Sequence, residues 1–267
     1  MMVKWQICTI FAVVAAISLF SGAGAWANDV YVRTGVGLDW SKDTRFKDKD
    51  CTNHSPPAIY ALYGCGPGND GAPLSTHGDF SAPAGFELGL GHAVMPALRI
   101  EALVQYRPRF TLTGHANFLQ TTGRQEVSAR VSSLSGMFAA YVDLPQLGLP
   151  RLGPFSPFVG GGAGASYIDV GKTRMKFTRT RTIVPGGHQV NFAWMLTAGV
   201  GTSLTDRLTL DLAYRYTDSG SVETDEGIAR VVNRAGDVLV PLNVGQTRAH
   251  LSSHGVWVSL RYAFYTL

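Results

Sequence analysis

Charge is scarce in this 267-residue sequence: Asp, Glu, Lys and Arg make up only 16% of it, with a formal balance of +4. A disordered, self-repelling chain is thereby excluded, since such chains combine strong net charge with few apolar residues. Cysteine is scarce too. Cys8 lies in the N-terminal apolar stretch, leaving Cys51 and Cys65, and no second ligand pair accompanies them, which excludes a structural zinc site. No cofactor or metal is expected. Beyond the first twenty-seven residues no long apolar run occurs, which excludes a helical membrane protein.

What is present begins with "MMVKWQICTIFAVVAAISLFSGAGAWA". Lys4, an apolar run from about Ile7 to Phe20 and the small-residue pattern Ala25-Trp26-Ala27 predict a secretory signal peptide over 1–27, cleaved after Ala27. The alternative, a membrane anchor, needs ~20 apolar residues without interruption. Residues 28–267 then form one exported domain. In an exported chain the pair Cys51 and Cys65 reads as a disulfide closing a loop of about 15 residues, worth ~3 kcal/mol. The mild positive excess suits lipid or lipopolysaccharide phosphates; a nucleic-acid partner does not fit an exported chain.

The dominant pattern past Asn28 is a two-residue rhythm. "LRIEALVQYR" sets Leu98, Ile100, Ala102, Val104 and Tyr106 against Arg99, Glu101, Leu103, Gln105 and Arg107. "VYVRTGVGLDW", "GFELGLGHA", "NFAWMLTAGVG", "LTLDLAYRY" and the closing "HLSSHGVWVSLRYAF" alternate likewise. "VSSLSGMFAAYVDL" alternates only in its second half, and "PFVGGGAGASYIDV" is dominated by glycine. Together they predict eight strands. Short connections alternate with long ones at about 41–82, 108–126, 171–189 and 218–246, the pattern of an all-β, antiparallel up-and-down transmembrane barrel with periplasmic turns and extracellular loops.

A water-soluble barrel also alternates, with its apolar face inward. Two features favour lipid. Large aromatics sit near strand ends on the apolar face (Trp40, Phe86, Tyr106, Phe192, Tyr214, Tyr216, Tyr262, Phe264), and the opposite faces are rich in Gly, Ala, Ser and Thr. The lumen is then expected to hold Arg33, Asp39, Glu87, Arg99, Glu101, Arg107, Asp211, Arg215 and Arg261 as a paired network closing the interior. A small porin-like channel lined by these charges is the alternative.

"SPFVGGGAGASY" (Ser156 to Tyr167) and the ending "HLSSHGVWVSLRYAF" resemble the small eight-stranded outer-membrane barrels of Gram-negative bacteria, the Opa-like surface antigens and OmpA- or OmpX-type barrel domains. The resemblance implies location in the outer membrane and an ending, Leu260, Tyr262 and Phe264, read by the barrel-assembly machinery. Three further residues follow Phe264, a departure from the usual terminal aromatic. It also implies a surface antigen, adhesin or envelope structural protein that contacts outer-membrane lipid and lipopolysaccharide and is not an enzyme.

Specificity is expected in the long loops, through which a host or envelope ligand would be met. The first holds Pro56, Pro57, Tyr60 and Tyr63 between or beside the cysteines; the third holds a basic patch, Lys172, Arg174, Lys176, Arg179 and Arg181, suited to phosphates or polyanions. Finally, His250-Leu251-Ser252 resembles the His-x-Ser of outer-membrane lipid A deacylases. A serine nucleophile needs a base and the base an orienting acid. Ser253 stands where that family has Asn, and Glu223 or Asp225 would have to serve as the acid, so no catalytic residue is assigned.

Overall fold

The computed structural model describes residues 30–51, 62–81, 84–118 and 125–264. The predicted signal peptide, the loop residues Pro56, Pro57 and Tyr60, and the three residues after Phe264 lie outside them. The chain is all-β. Its strands are β1 (Val30–Asp48), β2 (Ser75–Phe80), β3 (Ala84–Met95), β4 (Leu98–Ala116), β5 (Gln125–Asp143), β6 (Ser156–Val170), β7 (Thr173–Lys176), β8 (Arg181–Val184), β9 (Gly187–Ser203), β10 (Leu208–Glu223), β11 (Gly227–Val232), β12 (Val238–Val244) and β13 (Thr247–Ala263).

All pairings are antiparallel and join one thirteen-stranded sheet. Followed through the long strands they run β1, β3, β4, β5, β6, β9, β10, β13 and return to β1, where Val36 faces Val258. The sequence predicted eight strands; the additional ones, β2, β7, β8, β11 and β12, fall inside stretches read as loops. They are short and flanked by Gly or Pro, such as Gly171, Pro185 and Gly245, which hid their rhythm. β2 bridges β1 and β4, while β7, β8, β11 and β12 extend outward in that order from the end of β5.

The long strands also reach further than their alternation suggested, because the polarity of their two faces inverts part-way up. In the lower half of β5, Ser133, Ser135 and Tyr141 point inward and Leu134 and Phe138 outward. In its upper half Val127, Ala129 and Val131 are buried and Arg130 is exposed. β4 does the same, with Glu101 and Gln105 inside below and Phe110 and Leu112 inside above.

Register shifts accompany the inversion on three strands: β1 beyond Trp40, β4 between Arg107 and Phe110, and β10 between Asp218 and Ser221. Each moves the inward parity by one residue. In β10 the shift includes Gly220, whose φ of 80° is a left-handed conformation glycine adopts without strain. Above this level the interior is an apolar core in which Phe46, Phe80, Phe110, Leu112, Val131, Ile168 and Leu251 meet Met175, Val184 and Leu242 from the short strands. Each fully buried side chain of this kind stabilises by ~2 kcal/mol.

At the opposite end the links are tight. Met95 and Leu98 bracket one turn, Leu204 donates to the Leu208 carbonyl in another, and a 3₁₀ turn at Leu144–Leu147 ends on Gly148 at φ 89°.

Candidate functional site

The inward charges occupy the lower half, where the alternation of β1, β3, β4, β10 and β13 aims them at one another. Arg33 Nε donates to Glu87 Oε1 at 2.9 Å and Nη2 to Ser259 at 2.8 Å, while Nη1 lies 3.4 Å from Glu101. Arg215 Nη1 takes the other Glu87 oxygen at 2.7 Å. Arg99 is bidentate on Asp143 at 2.8 and 2.9 Å, Arg261 bidentate on Asp211 at 2.6 and 2.9 Å, and Arg107 binds Asp39 at 2.6 Å. Each of these arginines thus has a carboxylate. Isolated charges in such an interior would be costly, and paired, hydrogen-bonded ones are tolerated.

Aromatic rings complete the layer. Arg215 stacks 4.7 Å over Trp257, and Arg33 and Arg99 lie 5.3 and 5.2 Å from the Tyr141 ring. Trp257 is fully buried and donates to Asp39. It fits because Gly37 and Gly85 face it: a Cβ at Gly85 would meet its ring at 2.7 Å, and one at Gly37 closer still. Asp143, Tyr31 (2.7 Å to Glu101), Ser259 and Trp257 were not identified from the sequence as members of this layer. Trp257 shares the face of Ser259 and Arg261, the one signal that pointed to it. Between this layer and the apolar core lies a cavity of about 20 Å³, lined by Asp39, Ser41, Arg107, Phe110 and Leu251 among others. That is room for about one water.

On the outer surface, near the level of inversion, an aromatic cluster gathers at His254, just past the His-x-Ser stretch. His254 Nδ1 lies 2.6 Å from the Tyr214 hydroxyl, and its ring packs against Tyr214 and Tyr216. Trp194 packs at a tilt against Tyr216, and Trp40 lies near Tyr214. His250 Nε2 meets Asp218 Oδ2 at 3.0 Å, and Asp218 faces Ser252 across the strand pair. The acid beside His250 is therefore Asp218, not Glu223 or Asp225; the bulge at Gly220, which the Asp218 carboxylate caps, brings it there. Among the described residues no hydrogen bond joins Ser252 to His250. Glu223 instead binds Lys49 and Arg248 at 2.8 and 2.6 Å. Burial acts to raise its pKa, but these two cations outweigh that and hold the carboxyl below its usual range.

Cys51 and Cys65 form a disulfide, and beside it Tyr63 is buried against Thr76 and Phe118, with burial pushing its hydroxyl up to about 12. Arg174 and Lys176 lie on β7 and Arg181 on β8, all exposed, with Lys172 before and Arg179 in the turn between. Sequence reasoning missed that Arg230 of β11 joins them through β8. Leu260 and Tyr262 line the outer face of β13 and Phe264 follows just past its end, the last two rings edge-on at 5.9 Å.

A family model described as outer membrane protein beta-barrel domain matches residues 9–264. An uncharacterized protein of Brucella suis biovar 1 (strain 1330) is 30% identical over 207 residues, 70% of this chain and 71% of that protein. One of Brucella abortus (strain 2308) is 30% identical over 208 residues with the same coverage. Among solved structures, the outer membrane protein OprG from Pseudomonas aeruginosa aligns with 90% of this chain and 98% of its own at 13% identity, with a TM-score of 0.47.

Proposed function

The chain belongs to the outer membrane protein β-barrel domain family and resides in the outer membrane, and on that premise we propose that it is an eight-stranded transmembrane barrel with a closed lumen, acting at the cell surface as an antigen, adhesin or envelope structural protein. The observation that carries this reading is the inversion of the faces. A belt of exposed apolar side chains, including Leu88, Phe138, Phe192, Leu212 and Val258, surrounds a charged interior, and above it the polarity reverses. A lipid-facing wall requires the first arrangement, and a wall standing in water the second.

In this reading residues 1–27 are the cleaved export signal, Leu260, Tyr262 and Phe264 present the assembly signal, and the long hairpins face outward. Lipid and lipopolysaccharide surround the barrel. The cluster at His250 and His254 anchors the wall at the membrane boundary, where Trp and Tyr rings suit the headgroup level, and it has no catalytic role.

Orientation is tested by single cysteines in intact cells, the native pair being tied in a disulfide. Arg234→Cys, on the β11–β12 turn, is expected to react with a membrane-impermeant maleimide, and Leu147→Cys, on the 3₁₀ turn, only after the cells are broken. The reverse pattern would overturn the reading.

A further inference from the structure

Hairpins β7–β8 and β11–β12 come from separate connections, yet they form one continuous sheet, since β7 pairs with β5 and β8 with β11. The register sets Arg174 beside Ile183 and Ile183 beside Arg230, with Lys176 beside Arg181 in the neighbouring row. Met175, Thr182 and Ala229 turn inward to the core, which leaves Arg174, Lys176, Arg181 and Arg230 exposed. The two tips are tied by Arg234, whose Nη2 donates to the Thr178 carbonyl at 3.2 Å, and Arg179 and Arg234 line the open cleft between them. Counter-charge is sparse: Glu126 lies 3.5 Å from Lys176, and Asp237 is engaged with Asn233. Among the described residues Arg174, Arg179, Arg181 and Arg230 are in no ion pair, whereas the interior arginines each have a carboxylate.

We propose that this outward face, built jointly by β7, β8, β11 and the two hairpin tips, binds an anionic polysaccharide, sulfated or rich in uronic acid. Sheet geometry spaces the cations ~5 Å apart across neighbouring strands, ~7 Å apart along one strand and ~10 Å apart two strands away. Such a flat ladder suits a linear chain carrying a charge on successive sugars. The guanidinium groups offer paired N–H donors that match sulfate and carboxylate oxygens.

Bilayer phosphates are a poor match. Leu134, at the level of the Tyr167 ring, is separated from Ser128, the partner of Arg174, by roughly 20 Å of strand. Single-stranded nucleic acid would call for stacking rings, and Phe177, the aromatic of the β7–β8 hairpin, packs against the core. The proposal rests on the reading that this end faces the exterior.

The test uses the full mature protein in nanodiscs of zwitterionic lipid, with fluorescein-labelled heparin fragments as probe, and neutral dextran and a single-stranded DNA of matched charge as comparisons. Heparin binding is expected to weaken with added salt. It should fall about tenfold or more in Arg174→Ser/Arg230→Ser, and comparably in Arg179→Ser/Arg234→Ser. Arg207→Ser, on the opposite turn, should bind as the parent does. Both double variants binding heparin as tightly as the parent, or DNA binding at least as tightly as heparin, would overturn the proposal. Binding by purified protein is independent of its orientation in a cell, so a failure here is separable from a failure of the cysteine-labelling test.

Discussion

Glu87→Gln is expected to destabilise the folded protein by about 3–5 kcal/mol, because the substitution keeps the shape of the side chain and removes the charge shared by two buried arginines. Of its ion pairs Arg33 would retain only the longer approach to Glu101, 3.4 Å, and Arg215 would lose the ion pair it makes at 2.7 Å. Both are fully enclosed, so water cannot take over. The matching control is Glu126→Gln, whose pair with Lys176 is exposed on both sides and should change stability by no more than ~1 kcal/mol. Urea midpoints in detergent or vesicles, read by the heat-dependent shift in electrophoretic mobility, compare the two. Equal, small effects would mean that the interior charges are solvated and the lumen is wet.

The second large effect concerns the outer wall. Leu88→Arg places a charge midway along β3 on the apolar belt, where the side chain is 59% exposed, and is expected to cost about 2–4 kcal/mol in a bilayer. Thr113→Arg places the same charge on the outer face of β4 above its register shift and should cost ~0–1 kcal/mol. The same folding titrations in vesicles measure both. A water-soluble barrel would tolerate the two substitutions alike.

These two sites mark where the sequence was readable and where it was not. Below the boundary, strict alternation identified the inward charges from Arg33 to Arg261, because in lipid the outer residues must be apolar and polar groups have nowhere else to go. The reading stopped at Trp40, Arg107 and Tyr216, and at or just beyond each of these points a register shift moves the parity and the faces exchange polarity. A two-residue rhythm carried past a bulge cancels itself. Three consequences followed. The upper strand ends were read as loops, the apolar core around Phe110 and Val131 went unseen, and the partnership of Asp218 with His250 was missed because it depends on the bulge at Gly220. Asp143 was missed for another reason: it closes β5 while Arg99 stands at the start of β4, and spacing within one strand does not reveal a diagonal pair between neighbouring strands. The basic patch was legible in one hairpin only, since Arg230 enters through register with β8.

Closure of the lumen is the claim on which the functional reading turns. Among the described residues, the charged layer around Glu87 and the apolar core above it fill the interior at two successive levels, with a pocket of about 20 Å³ where they meet. Planar-bilayer recording of the refolded protein tests this directly. The account predicts a baseline without unitary steps in molar salt, for the unaltered protein and for Glu87→Gln alike, because the apolar core above the charged layer stays in place. Regular, sustained single-channel openings by the unaltered protein would contradict it.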